Sequence, residues 1–243
     1  AGSSAATRAA ASDGESVPGP GKITAEVINQ DPQILLYHDF VSEAEVEHLL
    51  SLCEGRWSRS LVTSGKASSL LASSAGAGEG GGSDGAPLGQ EIVGESRTSH
   101  SVHLTFDESY VVERIAARVA HVAGATLAQV EPLVALRYEP GQYFKLHHDG
   151  AMRPSTVFVY LNALEPGSGG ETCFPHLGFQ VRPEARTALK WDNRLPDGAA
   201  DPRLHHEAKP VLQGVKYGLN CFVNAQPQRA TDHIVVRHVD EQP

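Results

Sequence analysis

The chain has 243 residues, with 20 Lys and Arg against 29 Asp and Glu, so its formal net charge is −9. A pI near 5.7 without a basic cluster argues against a nucleic-acid partner, because phosphate contacts need concentrated Lys and Arg. Three cysteines without a CxxC pair exclude a disulfide-dense scaffold. The chain contains no run near the ~18 apolar residues of a membrane span, and its length suits one large domain.

Two segments are poor in bulky side chains. Residues 1–21 are mainly Ala, Ser, Gly and Pro and are expected to be a disordered lead before a single domain at 22–243. Of the 27 residues from 64 to 90, 19 are Gly, Ser or Ala, which predicts a flexible loop within that domain. Composition alone leaves open whether this loop is an inert linker or a lid.

Helical patterns occur twice in the first half of the chain. Ser42 and Glu45 form a capping-box pattern that predicts a helix ending near residue 53, after a short strand at Ile34–Tyr37. A second helix is predicted from about 108 to 123, because its apolar residues recur on one face. This apolar face is expected to cover one side of a sheet.

The second half is rich in short strand patterns. Five strands separated by Gly- and Pro-containing turns are predicted: Leu133–Tyr138, Tyr143–His148, Thr156–Leu161, Thr187–Trp191 and Asn220–Val223. Helices followed by many short strands favour an α+β, mainly β fold, with a sandwich or barrel buttressed by the N-terminal helices.

Imidazole and carboxylate groups occur together in this half. Side chains two residues apart share a face of a strand, so His147 and Asp149 are expected to converge while His148 points away. Such a pair is more often a simple hydrogen bond than a metal site. Further along, His205 and His206 offer another imidazole, and two histidines with one carboxylate suit non-haem Fe(II), although they also hold zinc.

Lys216 lies among strand-forming residues in the segment GVKYGLN. A lysine that points into a barrel needs an anionic partner, because a buried unpaired ammonium is costly. A cosubstrate with a carboxylate would supply that partner. Taken alone, however, Lys216 is better explained as a surface lysine in a turn after Gly214.

From about Pro32 to Asn224 the chain resembles a known family. The segments RYEPGQYFKLHHD, TVFVYLNALEPGSGGETCFP and HEAKPVLQGVKYGLNCFVN, in this order, are similar to the catalytic domain of the prolyl 4-hydroxylases, which are iron- and 2-oxoglutarate-dependent dioxygenases. The resemblance implies a double-stranded β-helix, or jelly roll. It also implies hydroxylation of peptidyl proline, coupled to decarboxylation of 2-oxoglutarate to succinate and CO2, and it favours a lid at residues 64–90.

The resemblance also implies roles for individual residues. It selects His206 over His205, so that His147, Asp149 and His206 are the implied Fe(II) ligands. The implied binding residues for 2-oxoglutarate are Lys216 with Tyr138 and Thr172 as helpers, although both helpers are equally compatible with ordinary core roles. The residues implied at the substrate are Arg153, Arg97, Phe144 and Phe222. O2 and L-ascorbate complete the implied cofactors, and a proline-containing peptide or protein is the implied partner.

Departures from the family pattern touch the substrate groove rather than the metal ligands. Phe222 replaces a tryptophan, Asn224 a histidine, Phe144 a frequent tyrosine and Lys209 a frequent cysteine. They leave open a hydroxylase of another residue or of a small molecule. A non-catalytic jelly-roll binding module is a further alternative, but it would be expected to lack a ligand or the lysine. The resemblance is compatible with the endoplasmic reticulum lumen or secretory pathway, and the cytoplasm is the alternative.

Overall fold

A computed structural model of the protein describes residues 17–63, 91–92 and 94–229. The predicted loop at 64–90 and residues 1–16 of the predicted lead lie outside the described residues. At the end of the predicted lead, the Val17 carbonyl accepts a hydrogen bond from Arg114 and the Pro18 carbonyl accepts one from Ser42. In the described part of the chain, no helix is long and apolar enough to cross a membrane.

The described elements are mainly short strands. In chain order they are β1 (Thr24–Asn29), β2 (Ile34–His38), α1 (Glu43–Cys53), β3 (Ser58–Arg59), β4 (Val62–Thr63), β5 (Glu91–Ile92), β6 (His100–Leu104), α2 (Tyr110–Val122), β7 (Leu133–Tyr138), β8 (Phe144–His147), β9 (Ser155–Tyr160), β10 (Thr172–Phe174), β11 (Phe179–Val181), β12 (Ala188–Asp192), β13 (His206–Ala208) and β14 (Lys216–Val223). Short 3₁₀ turns lie at Leu127–Gln129, Pro175–Leu177 and Pro202–Leu204.

Both predicted helices form. The side chain of Ser42 accepts a hydrogen bond from the Glu45 N–H while the Glu45 carboxylate accepts one from the Ser42 N–H, which is the predicted capping box at the start of α1. Helix α2 begins at Tyr110, later than predicted, because Ser109 is extended and its side chain accepts a hydrogen bond from the Val111 N–H.

Two antiparallel sheets form the core of the described residues. The larger has eight strands in the order β1-β2-β12-β9-β14-β7-β6-β3, and the smaller has four in the order β11-β10-β13-β8. Side chains from both sheets meet in one apolar cluster, which includes Tyr160 of β9 and Phe174 of β10. This arrangement confirms the prediction of a mainly β, double-stranded β-helix fold. The predicted buttressing by the N-terminal helices is a minor part of the structure.

The central strands of the larger sheet are buried on both faces because their side chains alternate between two apolar clusters. On β7, Ala135 faces the cluster around the helices, whereas Leu136 faces the smaller sheet. On β14, Leu219 and Cys221 face the helices. The alternation therefore turns Lys216 toward the interior between the sheets.

A glycine pair forms the turn before β10. Gly169 and Gly170 have φ values of +74° and +75°. A Cβ atom added to Gly169 would lie 2.2 Å from the carbonyl oxygen of Pro210. By contrast, Gly167 has φ +85° but a Cβ atom there would meet nothing within 4 Å. The close approach at Gly169 holds β10 beside the segment that leads to β14.

We expect Gly169→Ala to destabilise the fold more than Gly167→Ala. Both substitutions carry the ~1–3 kcal/mol cost of a left-handed backbone at a non-glycine residue. Only Gly169→Ala adds a clash with a backbone oxygen, which no side-chain rotation relieves. Urea unfolding of the two variants measures the difference directly, and equal losses of unfolding free energy would contradict the close approach.

Candidate metal centre

Two imidazoles and one carboxylate meet between the sheets. The pairing of β8 with β13 places His147 opposite His206. The Nε2 atom of His147 lies 3.7 Å from Oδ1 of Asp149, and the Nε2 atom of His206 lies 3.7 Å from Oδ2 of the same carboxylate. One ligand atom from each residue lies within 4.8 Å of the others, and among the described residues this is the cluster able to hold a metal ion.

Asp149 lies two residues beyond the end of a strand of the smaller sheet. Strand β8 ends at His147, and Gly150, with φ +89°, redirects the chain just beyond the carboxylate. His147 and Asp149 lie on one side of the chain, whereas the intervening His148 bonds the carbonyl oxygen of Asp201.

Backbone hydrogen bonds fix the tautomer of both histidines. Nδ1 of His147 lies 2.8 Å from the carbonyl oxygen of Lys145, and Nδ1 of His206 lies 3.0 Å from that of Leu204. Because a carbonyl oxygen only accepts, both Nδ1 atoms carry the proton. Both Nε2 atoms therefore present a lone pair to the space beside Asp149, as metal ligation requires.

The protonation states of the site also fit a divalent cation. Burial, assisted by the neighbouring His206, lowers the pKa of His147 to about 3. Burial acts to raise the pKa of Asp149, but the hydrogen bond from the Thr156 hydroxyl and the charge of Arg153 favour the carboxylate and hold that pKa below its usual value. His147 is therefore neutral and Asp149 ionised at neutral pH. Two imidazole donors and one carboxylate, with open positions, fit Fe(II).

Aromatic rings enclose the imidazoles. The ring of Phe144 stacks on His147 with centroids 3.6 Å apart. The ring of Trp191 meets His206 edge-on at 4.8 Å, and Phe174 lies 5.6 Å from the same imidazole. These contacts limit ring rotation and reduce access of water to the site.

Lys216 is 1% exposed, so its interpretation as a surface lysine is wrong. Its Nζ atom donates a 2.6 Å hydrogen bond to the carbonyl oxygen of Gly170. The same atom lies 5.1–5.4 Å from the ring centroids of Phe158, Tyr138 and Tyr160. No carboxylate of the described residues forms an ion pair with it, and burial lowers its pKa to about 7.

Two hydroxyl groups predicted to assist Lys216 lie in the same interior. Tyr138 is directly opposite Lys216 in the pairing of β7 with β14. Thr172 accepts a 2.7 Å hydrogen bond from the hydroxyl of Tyr160. The sequence predicts no role for Tyr160, although alternation along β9 places it on the face shared with Phe158.

The four residues predicted at the substrate form two pairs. The guanidinium of Arg97 lies 4.9 Å from the ring centroid of Phe144, and its Nη2 atom is buried without a hydrogen-bond partner among the described residues. The guanidinium of Arg153 lies 3.9 Å from the centroid of Phe222 and pairs with Glu131 at 2.7 Å. In the first pair, Phe144 stacks on the imidazole of His147. In the second pair, the charge of Arg153 helps to lower the pKa of Asp149. The arginines therefore flank the metal centre.

Comparison with known proteins agrees with this geometry. The family model described as "2OG-Fe(II) oxygenase superfamily" matches residues 133–224, which run from β7 to just beyond β14. The matched range contains the three clustered residues and Lys216. "Probable prolyl 4-hydroxylase 8" of Arabidopsis thaliana is 28% identical over 233 residues, covering 84% of this chain and 72% of that protein.

Solved structures share the fold at low sequence identity. A viral collagen prolyl hydroxylase from Paramecium Bursaria Chlorella virus-1, in a 2OG complex, superposes with a TM-score of 0.57 at 22% identity, covering 79% of this chain and 96% of that one. A prolyl hydroxylase from Trichoplax adhaerens, in complex with a hypoxia inducible factor peptide fragment, has a TM-score of 0.54 at 16% identity, covering 79% and 83%. Both likenesses support the jelly-roll fold.

Proposed function

We propose that the chain is a member of the prolyl 4-hydroxylase family, within the 2OG-Fe(II) oxygenase superfamily, and that it hydroxylates proline residues of a peptide or protein. One observation carries this proposal: the barrel interior holds two kinds of group. One is a cluster of two imidazoles and a carboxylate, and the other is a buried ammonium that has no carboxylate partner among the described residues. The first group suits Fe(II), and the second suits the dicarboxylate cosubstrate 2-oxoglutarate.

His147, Asp149 and His206 are the residues that would hold Fe(II). When bound, Fe(II) supplies the oxidising chemistry in which O2 converts 2-oxoglutarate to succinate and CO2 while one oxygen atom enters a C–H bond of the substrate. The protein holds both Nε2 lone pairs toward the ion through the Nδ1 hydrogen bonds. Three protein ligands leave positions for the cosubstrate and O2. L-ascorbate is the expected reductant that keeps the iron ferrous.

Lys216 is the proposed anchor for the distal carboxylate of 2-oxoglutarate. The surrounding rings of Tyr138, Tyr160 and Phe158 exclude water, so an ion pair formed here is stronger than one at the surface. The hydroxyl groups of Tyr138 and Thr172 are the proposed further donors to the same carboxylate. The protein thereby fixes the orientation of the cosubstrate relative to the metal.

Arg97 and Arg153, with Phe144 and Phe222, are the proposed substrate-binding residues. A peptidyl proline has no backbone N–H, so recognition of proline-rich segments depends on donors to carbonyl oxygens and on aromatic contacts with the ring. Nη2 of Arg97, which has no hydrogen-bond partner among the described residues, is the proposed donor. The rings of Phe144 and Phe222 supply apolar surface on either side of the metal centre.

Mass spectrometry of proline-containing peptides incubated with the protein, Fe(II), ascorbate and 2-oxoglutarate tests the proposal. We expect the mass of one oxygen atom to appear on proline, together with an equal amount of succinate. Omission of 2-oxoglutarate is the control and is expected to abolish both signals. Oxygen found on another residue type, or succinate formed only with a small molecule, would reject prolyl hydroxylation while keeping the dioxygenase.

A further inference from the structure

A chain of buried polar side chains ends on the carboxylate of Asp149. Nε1 of Trp191 donates a 2.9 Å hydrogen bond to Oδ1 of Asn193, and Nδ2 of Asn193 donates one of 2.9 Å to Oγ1 of Thr156. The Thr156 hydroxyl in turn donates a 2.7 Å hydrogen bond to Oδ2 of Asp149. Trp191, Asn193 and Thr156 are each 2% exposed or less.

The indole of Trp191 sets the direction of every bond in this chain. An indole N–H can only donate, so the oxygen of the Asn193 amide must face Trp191. The amide nitrogen therefore faces the other way, where its two protons go to Thr156 and to the carbonyl oxygen of Arg153, 2.8 Å away. Because Thr156 accepts one of these protons, its own hydroxyl proton is directed to Asp149.

We propose that Asn193 is a positioning residue for the metal-binding carboxylate and acts through the hydroxyl of Thr156. A carboxylate beyond the end of a strand is free to rotate about its Cβ–Cγ bond unless a donor holds one oxygen. The Thr156 hydroxyl holds Oδ2, so the carboxylate stays in the plane that faces both imidazoles. This inference rests on the proposed function, since it takes Asp149 as a metal ligand.

The same amide connects the metal centre with the proposed substrate site. Asn193 holds the backbone of Arg153 with one proton and orients Thr156 with the other. Asp149 and Arg153 lie at the two ends of the turn between β8 and β9. Asn193 therefore fixes both ends of the segment that carries a metal ligand and a substrate-binding arginine.

The test measures binding of Co(II), used as a spectroscopic probe of the metal site, to the full chain without substrate. We expect Thr156→Val to weaken Co(II) binding by about 10- to 100-fold, the usual cost of losing a partner that orients a ligand. Thr156→Ser keeps the hydroxyl and is expected to bind like the wild type. Ser155→Ala is the matched control, because the hydroxyl of Ser155 lies on the opposite face of β9 and contacts Asp192.

A double-mutant comparison separates positioning from general loss of structure. We expect Asn193→Ala to weaken Co(II) binding much more in the wild-type background than in the Thr156→Val background, where only its bond to the Arg153 carbonyl oxygen remains to be lost. Equal losses in both backgrounds would overturn the proposal. Should Thr156→Val fail to unfold cooperatively, Thr156→Ala and Thr156→Ser replace it, and equal Co(II) affinities for these two would overturn the proposal.

The His206→Ala variant tests the proposed function independently of the positioning role. Undiminished Co(II) binding by His206→Ala would reject the metal centre itself. Loss of binding by His206→Ala together with wild-type binding by Thr156→Val would keep the metal centre and reject only the positioning role.

Discussion

Replacement of His206 by alanine is expected to abolish peptide-dependent succinate formation, whereas replacement of the adjacent His205 leaves most of it. His206 is buried and directs Nε2 to Asp149. His205 is partly exposed, and its Nδ1 atom bonds the carbonyl oxygen of Pro202. Losing a partner that only orients a metal ligand lowers metal affinity or activity by about 10- to 100-fold. Losing the ligand itself is therefore expected to lower succinate formation by more than about 100-fold.

The two adjacent histidines make this a matched pair of variants. Succinate release is measured with saturating peptide and 2-oxoglutarate, and thermal unfolding of each variant shows whether the domain remains folded. His147→Ala and Asp149→Ala are expected to behave like His206→Ala. Comparable losses from His205→Ala and His206→Ala would contradict the assignment of His206 as the ligand.

Two of the strands predicted correctly have side chains that meet apolar surroundings on both faces. β7 and β9 are buried along most of their length, so their β-branched and aromatic residues are visible in the sequence. β1 was missed because its polar residues lie at the edge of the larger sheet, largely exposed. β10 and β13 were missed because three residues form each of them and only pairing with neighbouring strands of the smaller sheet makes them strands.

The candidate site was less accessible to sequence reasoning than the fold. Spacing alone left His205 and His206 equivalent, and only the family resemblance favoured His206. The structure places His206 at the first position of β13, opposite His147, so that it turns inward. Asn193 and Trp191 carry no motif that links them to Asp149. Their connection exists only through the pairing of β9 with β12, which a single sequence does not show.

Lys216→Ala is expected to raise the KM for 2-oxoglutarate by at least about 30-fold, with a smaller effect on peptide KM. Truncating one member of a buried charge pair costs about 2–5 kcal/mol, and its lower bound corresponds to roughly 30-fold. Lys190→Ala is the matched control, because Lys190 is also buried on the larger sheet but already pairs with Asp192 at 2.7 Å. An unchanged 2-oxoglutarate KM in Lys216→Ala would remove Lys216 from the cosubstrate site.

The lowered pKa of Lys216 adds a second readout for the same role. Burial favours the neutral amine, whereas the charge of Glu171 opposes this, and the resulting pKa is about 7. Below pH 7 the ammonium is already present, so 2-oxoglutarate affinity is expected to be constant there. Above pH 7 the amine must take up a proton before it pairs with the carboxylate, so affinity is expected to fall by up to about tenfold per pH unit.

Proton uptake on binding of 2-oxoglutarate distinguishes protonation of Lys216 from the titration of other groups near the site. The carboxylates of 2-oxoglutarate are ionised throughout this range, and burial raises the pKa of Tyr160, so that its hydroxyl stays protonated. Calorimetric titration of the Mn(II)-loaded protein with 2-oxoglutarate at pH 8, in two buffers of different ionisation heat, is expected to show uptake of close to one proton. The Lys216→Met variant is expected to lose that uptake. Equal uptake by Lys216→Met and the wild type would show that the proton goes to another group and that Lys216 does not pair with the cosubstrate as an ammonium.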